Sequence, residues 1–251
     1  MRRDLPNQDA VLWAPRNGAE RHFIAAVADG HGAPEHFRSE AGARLAVEAA
    51  VSALERFRSE QAPDQLMPDL ASEIVATWRQ AVRAHANQNP AASDWVEPDD
   101  DKLIPYGSTL LVTAFTQEMA VAVQIGDGDL YWAYPDGRIE RPLPDDMGLK
   151  GEETYSLCMA EAEKHARVKL ARTAAGETLP CFAMLSTDGV AKSFEDEAAF
   201  QDIVRHYHQA MMTAAPKTVL DGLPGWLEAV SRGGSGDDTT ICLAVQKAPS
   251  A

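Results

Sequence analysis

Two hydrophobic patterns divide the chain. Unbroken apolar runs of about five residues, such as Ile24 to Ala28, have the length of strands buried on both faces. The turn signal Pro15-Arg16-Asn17-Gly18 precedes that run and predicts a hairpin with the residues ahead of it. A four-residue repeat follows: Phe37, Ala41, Leu45, Ala49, Ala53 and Phe57, widened by Ala46, Ala50 and Leu54, predicts a helix over Pro34–Glu60. Pro63 and Pro68 punctuate the chain before a second stripe, Leu70, Ile74, Trp78 and Val82, which predicts a helix from Asp69 to Asn89. The segment from Asn89 to Pro105 carries three prolines and an acid triplet and reads as a loop.

Strand character then returns. Ser108–Thr116, Met119–Ile125 and Leu130–Tyr134 are rich in β-formers and joined by short turns, which predicts an antiparallel meander. Arg141 to Pro180 is polar, with only a weak helical pattern near Ala160–Ala171. Cys181–Ser186 reads as a buried strand, Phe194–Met212 as a helix and Pro224–Arg232 as a short helix. The glycine-rich turn Gly233–Asp238 feeds a last strand, Thr239–Gln246. Helices grouped between runs of strands fit an α+β fold with antiparallel sheets, in one domain of 251 residues.

Charge narrows the partners. A formal charge of −15 opposes binding to nucleic-acid backbones and to anionic membranes, so neither is expected. No apolar run nears the ~20 residues of a membrane span, and the charged start has no hydrophobic leader. A cytoplasmic location is therefore expected. Cys158, Cys181 and Cys242 are odd in number and widely spaced, which disfavours disulfides and a structural zinc site.

The candidate chemistry lies in acids at strand ends. The run Ile24–Ala28 stops at Asp29-Gly30-His31-Gly32. The same grammar recurs at Asp188-Gly189 after a second apolar run, and as Gly126-Asp127-Gly128 after a third. Asp237, in the glycine-rich turn, and Asp9 complete the set. A single Asp-Gly is most often a plain turn. Several, each closing a buried strand, point to a site. Hard divalent cations take oxygen ligands, and the scarcity of histidine and cysteine at these positions favours magnesium or manganese over zinc.

In their order along the chain these elements resemble the metal-dependent type 2C protein phosphatases (PPM). The matching segments are Asn7-Gln8-Asp9-Ala10, Val27-Ala28-Asp29-Gly30-His31-Gly32, Tyr106-Gly107-Ser108-Thr109, Ile125-Gly126-Asp127-Gly128, Ser186-Thr187-Asp188-Gly189 and Gly234–Thr240. A P-N-Q-D-A start and the segment Glu153-Thr154-Tyr155-Ser156-Leu157 are most similar to a bacterial branch. The resemblance implies a four-layer α-β-β-α sandwich, two antiparallel sheets flanked by helices, with a two-metal centre at one end. Asp29 would bridge both ions and the Gly30 carbonyl would bind one, with Asp9 on that side. Asp188 and Asp237 would hold the other, although Asp238 adjoins Asp237 and is the alternative. Asp127 matches a ligand of a weakly held third ion, and His31 a histidine that protonates the leaving alcohol. Residues 141–180 fall where the family carries a flap.

The implied activity is hydrolysis of phosphoserine and phosphothreonine in proteins, by a metal-bridging hydroxide attacking phosphorus in line. Substrates would be products of a serine/threonine kinase, in signal transduction, with the enzyme a monomer. Two other readings are a pseudo-phosphatase that binds a phosphoprotein partner and a phosphohydrolase of small metabolites. Three departures from the family pattern stand out. The usual phosphate-binding arginine position holds Asp4, with Arg3 one residue back as the candidate replacement. Lys192 stands where many relatives have an acid for the third metal. The family's opening strand has no residues here, so a truncated start or a first sheet one strand short is expected.

Overall fold

The computed structural model describes residues 6–16, 22–59, 69–90, 101–143, 154–213 and 216–246. Two antiparallel sheets form its centre. The first has the order β1 (Ala10–Ala14), β2 (Phe23–Ala28), β3 (Leu110–Phe115), β4 (Met119–Ile125) and β7 (Arg167–Arg172). The second runs β6 (Ile139–Glu140), β5 (Asp129–Ala133), β8 (Phe182–Ser186) and β9 (Ile241–Val245). Helices α1 (Ser39–Ser59) and α2 (Leu70–Gln88) flank the first sheet. The one-turn α3 (Asp188–Ala191), with α4 (Glu197–Thr213) and α5 (Pro216–Gly233), lies on the second.

The period of two along each strand sorts side chains into three apolar layers. Ile24, Ala26, Val112, Val121 and Val123 face the layer under α1 and α2. Ala25, Val27, Leu111, Leu130, Trp132 and Leu185 fill the space between the sheets. Tyr131, Phe182 and Met184 meet Phe200 and Val204 of α4 in the outer layer. Both faces of the central strands are covered, so their sequences are continuous apolar runs rather than alternating ones. The alanines of α1, with Ala43, Ala46 and Ala50 fully buried, let that helix lie close against the sheet and against α2. The polar groups of the inter-sheet layer are paired: Trp132 Nε1 donates to Thr113 Oγ1 at 3.1 Å, and that hydroxyl donates to the Val121 carbonyl at 2.8 Å. Together these give the α+β sandwich, α-β-β-α, implied by the resemblance.

Four expectations need correction. The meander breaks after β4: β3 pairs with β4, but β5 belongs to the other sheet and pairs with β6 and β8. The cause is the connection, where Gly126 (φ 85°) and Gly128 (φ 96°) take the left-handed region and carry the chain across the sandwich. Residues 160–171 contain no α-helix; a 3-10 turn, Ala162–His165, leads into the edge strand β7. The last helix begins at Pro216, whose ring suits a first helical position, and runs through Pro224. Phe37 lies ahead of α1 and is exposed, so the apolar stripe starts later. β1 and β2 pair as the expected hairpin, but the second half of the turn predicted at Pro15–Gly18, like residues 144–153 of the proposed flap, lies outside the described residues.

Among the described residues no helix is long and apolar enough to cross a membrane. All three cysteines are free. Cys181 and Cys242 are buried, and burial pushes the Cys242 thiol up to about 12, which leaves it inert.

Candidate active site

Strand register gathers the acids. Ala10 lies opposite Ala28, so Asp9 and Asp29 are the next residues outward on paired strands. Leu110 lies opposite Ile125, and the pairing of Gly30 with Ser108 continues the sheet to the same end, where Asp127 follows β4. In the second sheet Asp129 lies opposite Ser186, and Ser186 opposite Ile241. One step further out stand Thr187 and Thr240; Asp188 comes next, then the turn holding Asp237 and Asp238. Every acid singled out in the sequence therefore emerges at one end of the sandwich.

Hydrogen bonds hold these ends in place. Asp29 N donates to Thr109 Oγ1 at 3.0 Å, while Thr109 N donates to the Asp29 carbonyl at 2.9 Å. Thr187 links the sheets: its hydroxyl donates to Asp9 Oδ2 at 2.9 Å and accepts from Thr240 N at 3.0 Å. Asp127 N donates to Thr154 Oγ1 at 3.0 Å. Gln8 N donates to Asp238 Oδ2 at 3.0 Å, tying the N-terminal segment to the C-terminal turn.

Two glycines permit the close approach. A Cβ on Gly30 would lie 2.7 Å from the carbonyl oxygens of both Gln8 and Ser39, and one on Gly189 would lie 2.1 Å from that of Asp238. Gly189→Ala should push the Asp237–Asp238 turn outward. We expect ~1–3 kcal/mol of lost stability, seen as a lower Tm in the metal-free protein. The same variant should bind Mn²⁺ at least ~10-fold more weakly by calorimetry, a loss of about 1.4 kcal/mol.

Electrostatics mark the cluster as strained without cations. Burial, then the charges of Asp9, Asp188 and Asp127, push the Asp29 carboxyl up to about 9, and its carboxyl hydrogen-bonds to that of Asp188. Burial, opposed by hydroxyl hydrogen bonds and reinforced by Asp238 and Asp188, holds Asp9 up at about 6. Asp127 is raised by burial and by Asp188. Burial and the neighbouring His36 ring, 5.0 Å away between centroids, pull His31 down to about 4, so it is neutral near pH 7.

The structure brings Asp9, Asp29, Asp127 and Asp188 together, with Gly30 and His31 at the same rim. Asp237 stands further out and is exposed; its carboxylate accepts from Asp238 N at 3.0 Å and faces Lys192. Asp238 points inward, toward Gln8 and Asp9. Arg3 lies outside the described residues. Among the described residues no three of these groups converge on one point: Asp188 is held by Lys192 and Asp9 by Thr187. The donor set nevertheless suits hard cations. It consists of carboxylate and carbonyl oxygens, and Asp9 Oδ1 is buried without a hydrogen-bond partner, a polar atom that a cation would satisfy.

Sequence reasoning missed the ion pair between Asp129 and Arg141. Asp129 is buried beneath Asp127 and paired with Arg141, whose Nε donates to Tyr131 Oη at 2.8 Å and lies 3.5 Å from Glu197. Burial, offset by Arg141 and reinforced by Asp188 and Asp127, lifts Asp129 to about 6. The signal was an acid directly ahead of the apolar run Leu130–Tyr134, which needs a partner once the strand buries it.

Residues 1–228 match the family model described as protein phosphatase 2C. The chain matches no curated protein. Among solved structures it is similar to the catalytic domain of the serine/threonine protein phosphatase PstP in complex with two manganese ions. That pair is 18% identical over 98% of this chain and 94% of the other, with a TM-score of 0.57. PstP/Ppp of Mycobacterium tuberculosis is 18% identical, covering 98% and 95%, with a TM-score of 0.57. PppA, a regulatory component of T6SS in Pseudomonas aeruginosa, is 18% identical, covering 95% and 91%, with a TM-score of 0.58. At such identities the likeness is one of fold.

Proposed function

The chain belongs to the protein phosphatase 2C family, and we propose that it is a Mg²⁺- or Mn²⁺-dependent phosphatase acting on phosphoserine and phosphothreonine in proteins. The observation that carries this reading is that Asp9, Asp29, Asp127 and Asp188 emerge from both sheets at the same end of the sandwich, near enough for each to act on the Asp29 carboxyl. Asp29 would be shared by two cations, with Asp9 and the Gly30 carbonyl serving one, and Asp188 and Asp237 the other. Two divalent cations bound there supply activation of water and neutralisation of the phosphate oxygens.

The chain's own residues do the rest. Thr187 reaches from the second sheet to fix the Asp9 carboxylate, and Thr109, on the neighbouring strand, fixes the Asp29 backbone, so both acids are positioned before a substrate arrives. The net negative charge of the cleft keeps anions out until cations are loaded, which orders binding as metal first and phosphate second. Arg3 is proposed to grip phosphate oxygens with its two-pronged guanidinium. His31 is neutral in the free protein, and the negative charge of a bound phosphate would raise its proton affinity toward that of a useful acid for the departing alkoxide. One water is consumed, and the products are the serine or threonine alcohol and inorganic phosphate.

Purified protein should hydrolyse a phosphothreonine peptide with Mn²⁺ and stop when a chelator is added. In the same assay Arg3→Ala should raise KM several-fold. Turnover that persists at full rate in excess chelator overturns the proposal, and an unchanged KM removes Arg3 from it.

A further inference from the structure

Lys192 is the feature of the site that the reading above does not use. It follows the single turn of α3, where its backbone N–H donates to the Asp188 carbonyl at 2.9 Å. That turn places it four residues beyond Asp188 and on the same face. Its Nζ contacts Asp188 Oδ2, and the ammonium also lies in the field of Asp127 and Asp237. An ordinary surface ion pair joins one cation to one anion. Here the ammonium contacts Asp188 and also lies in the field of two further carboxylates, Asp127 and Asp237.

The charge balance gives this a consequence. Asp9, Asp29, Asp127, Asp188, Asp237 and Asp238 meet at this end of the sandwich. Two divalent cations would neutralise four of the six charges. The remaining negative charge would lie around Asp188, Asp127 and Asp237, and Lys192 is the cation that faces it. An ammonium there repels a divalent ion and occupies an Asp188 oxygen that such an ion would need. Resting on the metallophosphatase reading, we propose that Lys192 is a tethered cation that closes the outer edge of the carboxylate cluster to a further divalent ion and limits the site to two.

The test counts ions rather than turnovers. The full chain would be titrated with Mn²⁺, with free Mn²⁺ measured by electron paramagnetic resonance, for wild type, Lys192→Asp and Lys192→Gln. Lys192→Asp, which replaces the ammonium by a ligand, should bind one Mn²⁺ more than wild type. Lys192→Gln, which removes only the charge, should bind its weakest Mn²⁺ about threefold to tenfold more tightly than wild type. Circular dichroism checks that both remain folded, and the glutamine variant carries the test if the aspartate one does not. Identical stoichiometry and affinity in wild type and the folded variants would overturn the proposal, as would a wild type that already binds three ions. Failure of the phosphatase reading itself, ions bound but no peptide hydrolysed, is a separate result from a different assay.

Discussion

Asp29→Asn is expected to lower kcat/KM for a phosphothreonine peptide with Mn²⁺ by on the order of 10³-fold or more, and at the same time to raise the Tm of the metal-free protein. Both halves follow from one position. Asp29 ends β2 between Asp9, Asp188 and Asp127, and burial with those three charges pushes its carboxyl up to about 9. In the metal-free protein near neutral pH it therefore carries a proton, which the unfolded chain would have released. Asparagine has the same shape, is neutral in both states, and can still donate a hydrogen bond to Asp188. The metal-free variant should gain stability on the order of a few kcal/mol, while saturating Mn²⁺ should no longer add the ~4 kcal/mol it gives wild type at 1,000 times its Kd. Asp188→Asn and Asp237→Asn should also abolish turnover. Exposed Asp237, however, should change metal-free stability by no more than ~0.5 kcal/mol. Thermal melts in chelator and in Mn²⁺, run beside the kinetics, check both halves. Full turnover in all three variants would remove the acids from the chemistry.

What the sequence showed and what it hid have physical reasons. The strands β2, β4 and β8 were legible because both of their faces are buried, which leaves an apolar run with no other explanation. The edge strand β7 was not. Arg167, Lys169 and Arg172 sit at a half-exposed margin of the sheet, where polar side chains are tolerated and the apolar signal fades. The first half of α5 was hidden likewise, because only Leu223 of that helix is buried. Gly126-Asp127-Gly128 has the look of a hairpin turn, and only the three-dimensional path shows it crossing between sheets. At the site, the strand-end acids were readable as chemistry, but their supports were not. Thr187 reaches Asp9 and Gln8 reaches Asp238 across 178 and 230 residues of chain, distances at which no local pattern can speak. Arg141 pairs with Asp129 from the segment that read as featureless.

The metal-free protein should also lose stability as pH rises, against the usual behaviour of an acidic protein held by salt bridges. Asp29 at about 9, Asp9 at about 6 and Asp129 at about 6 all lie above the ordinary 3.8, each raised first by burial. Between the ordinary value and the raised one, the folded state binds the proton and the unfolded state does not. The stability tied to each group is thus complete below about pH 4 and is lost as pH climbs through its folded value. His31, pulled down to about 4 by burial and His36, acts in the opposite sense, costing stability as pH falls below about 6.5. His85 and His208 are likewise pulled down by burial and Asp127 is raised with the other carboxyls, so above about pH 6.5, where the histidines are neutral in both states, the carboxyls set the slope. Above about pH 6.5 Asp29 alone should carry a decline of about 1.4 kcal/mol per pH unit up to its own titration. Divalent cations bind the ionised carboxylates and displace those protons, so their stabilising effect should grow with pH. Melting curves at pH 5.5, 7 and 8.5 should show Tm falling in chelator and the fall flattened or reversed in Mn²⁺. A Tm that rises with pH in chelator would mean that these carboxyls are ionised and paired in the free protein, and the cluster would then have no need of metal to exist.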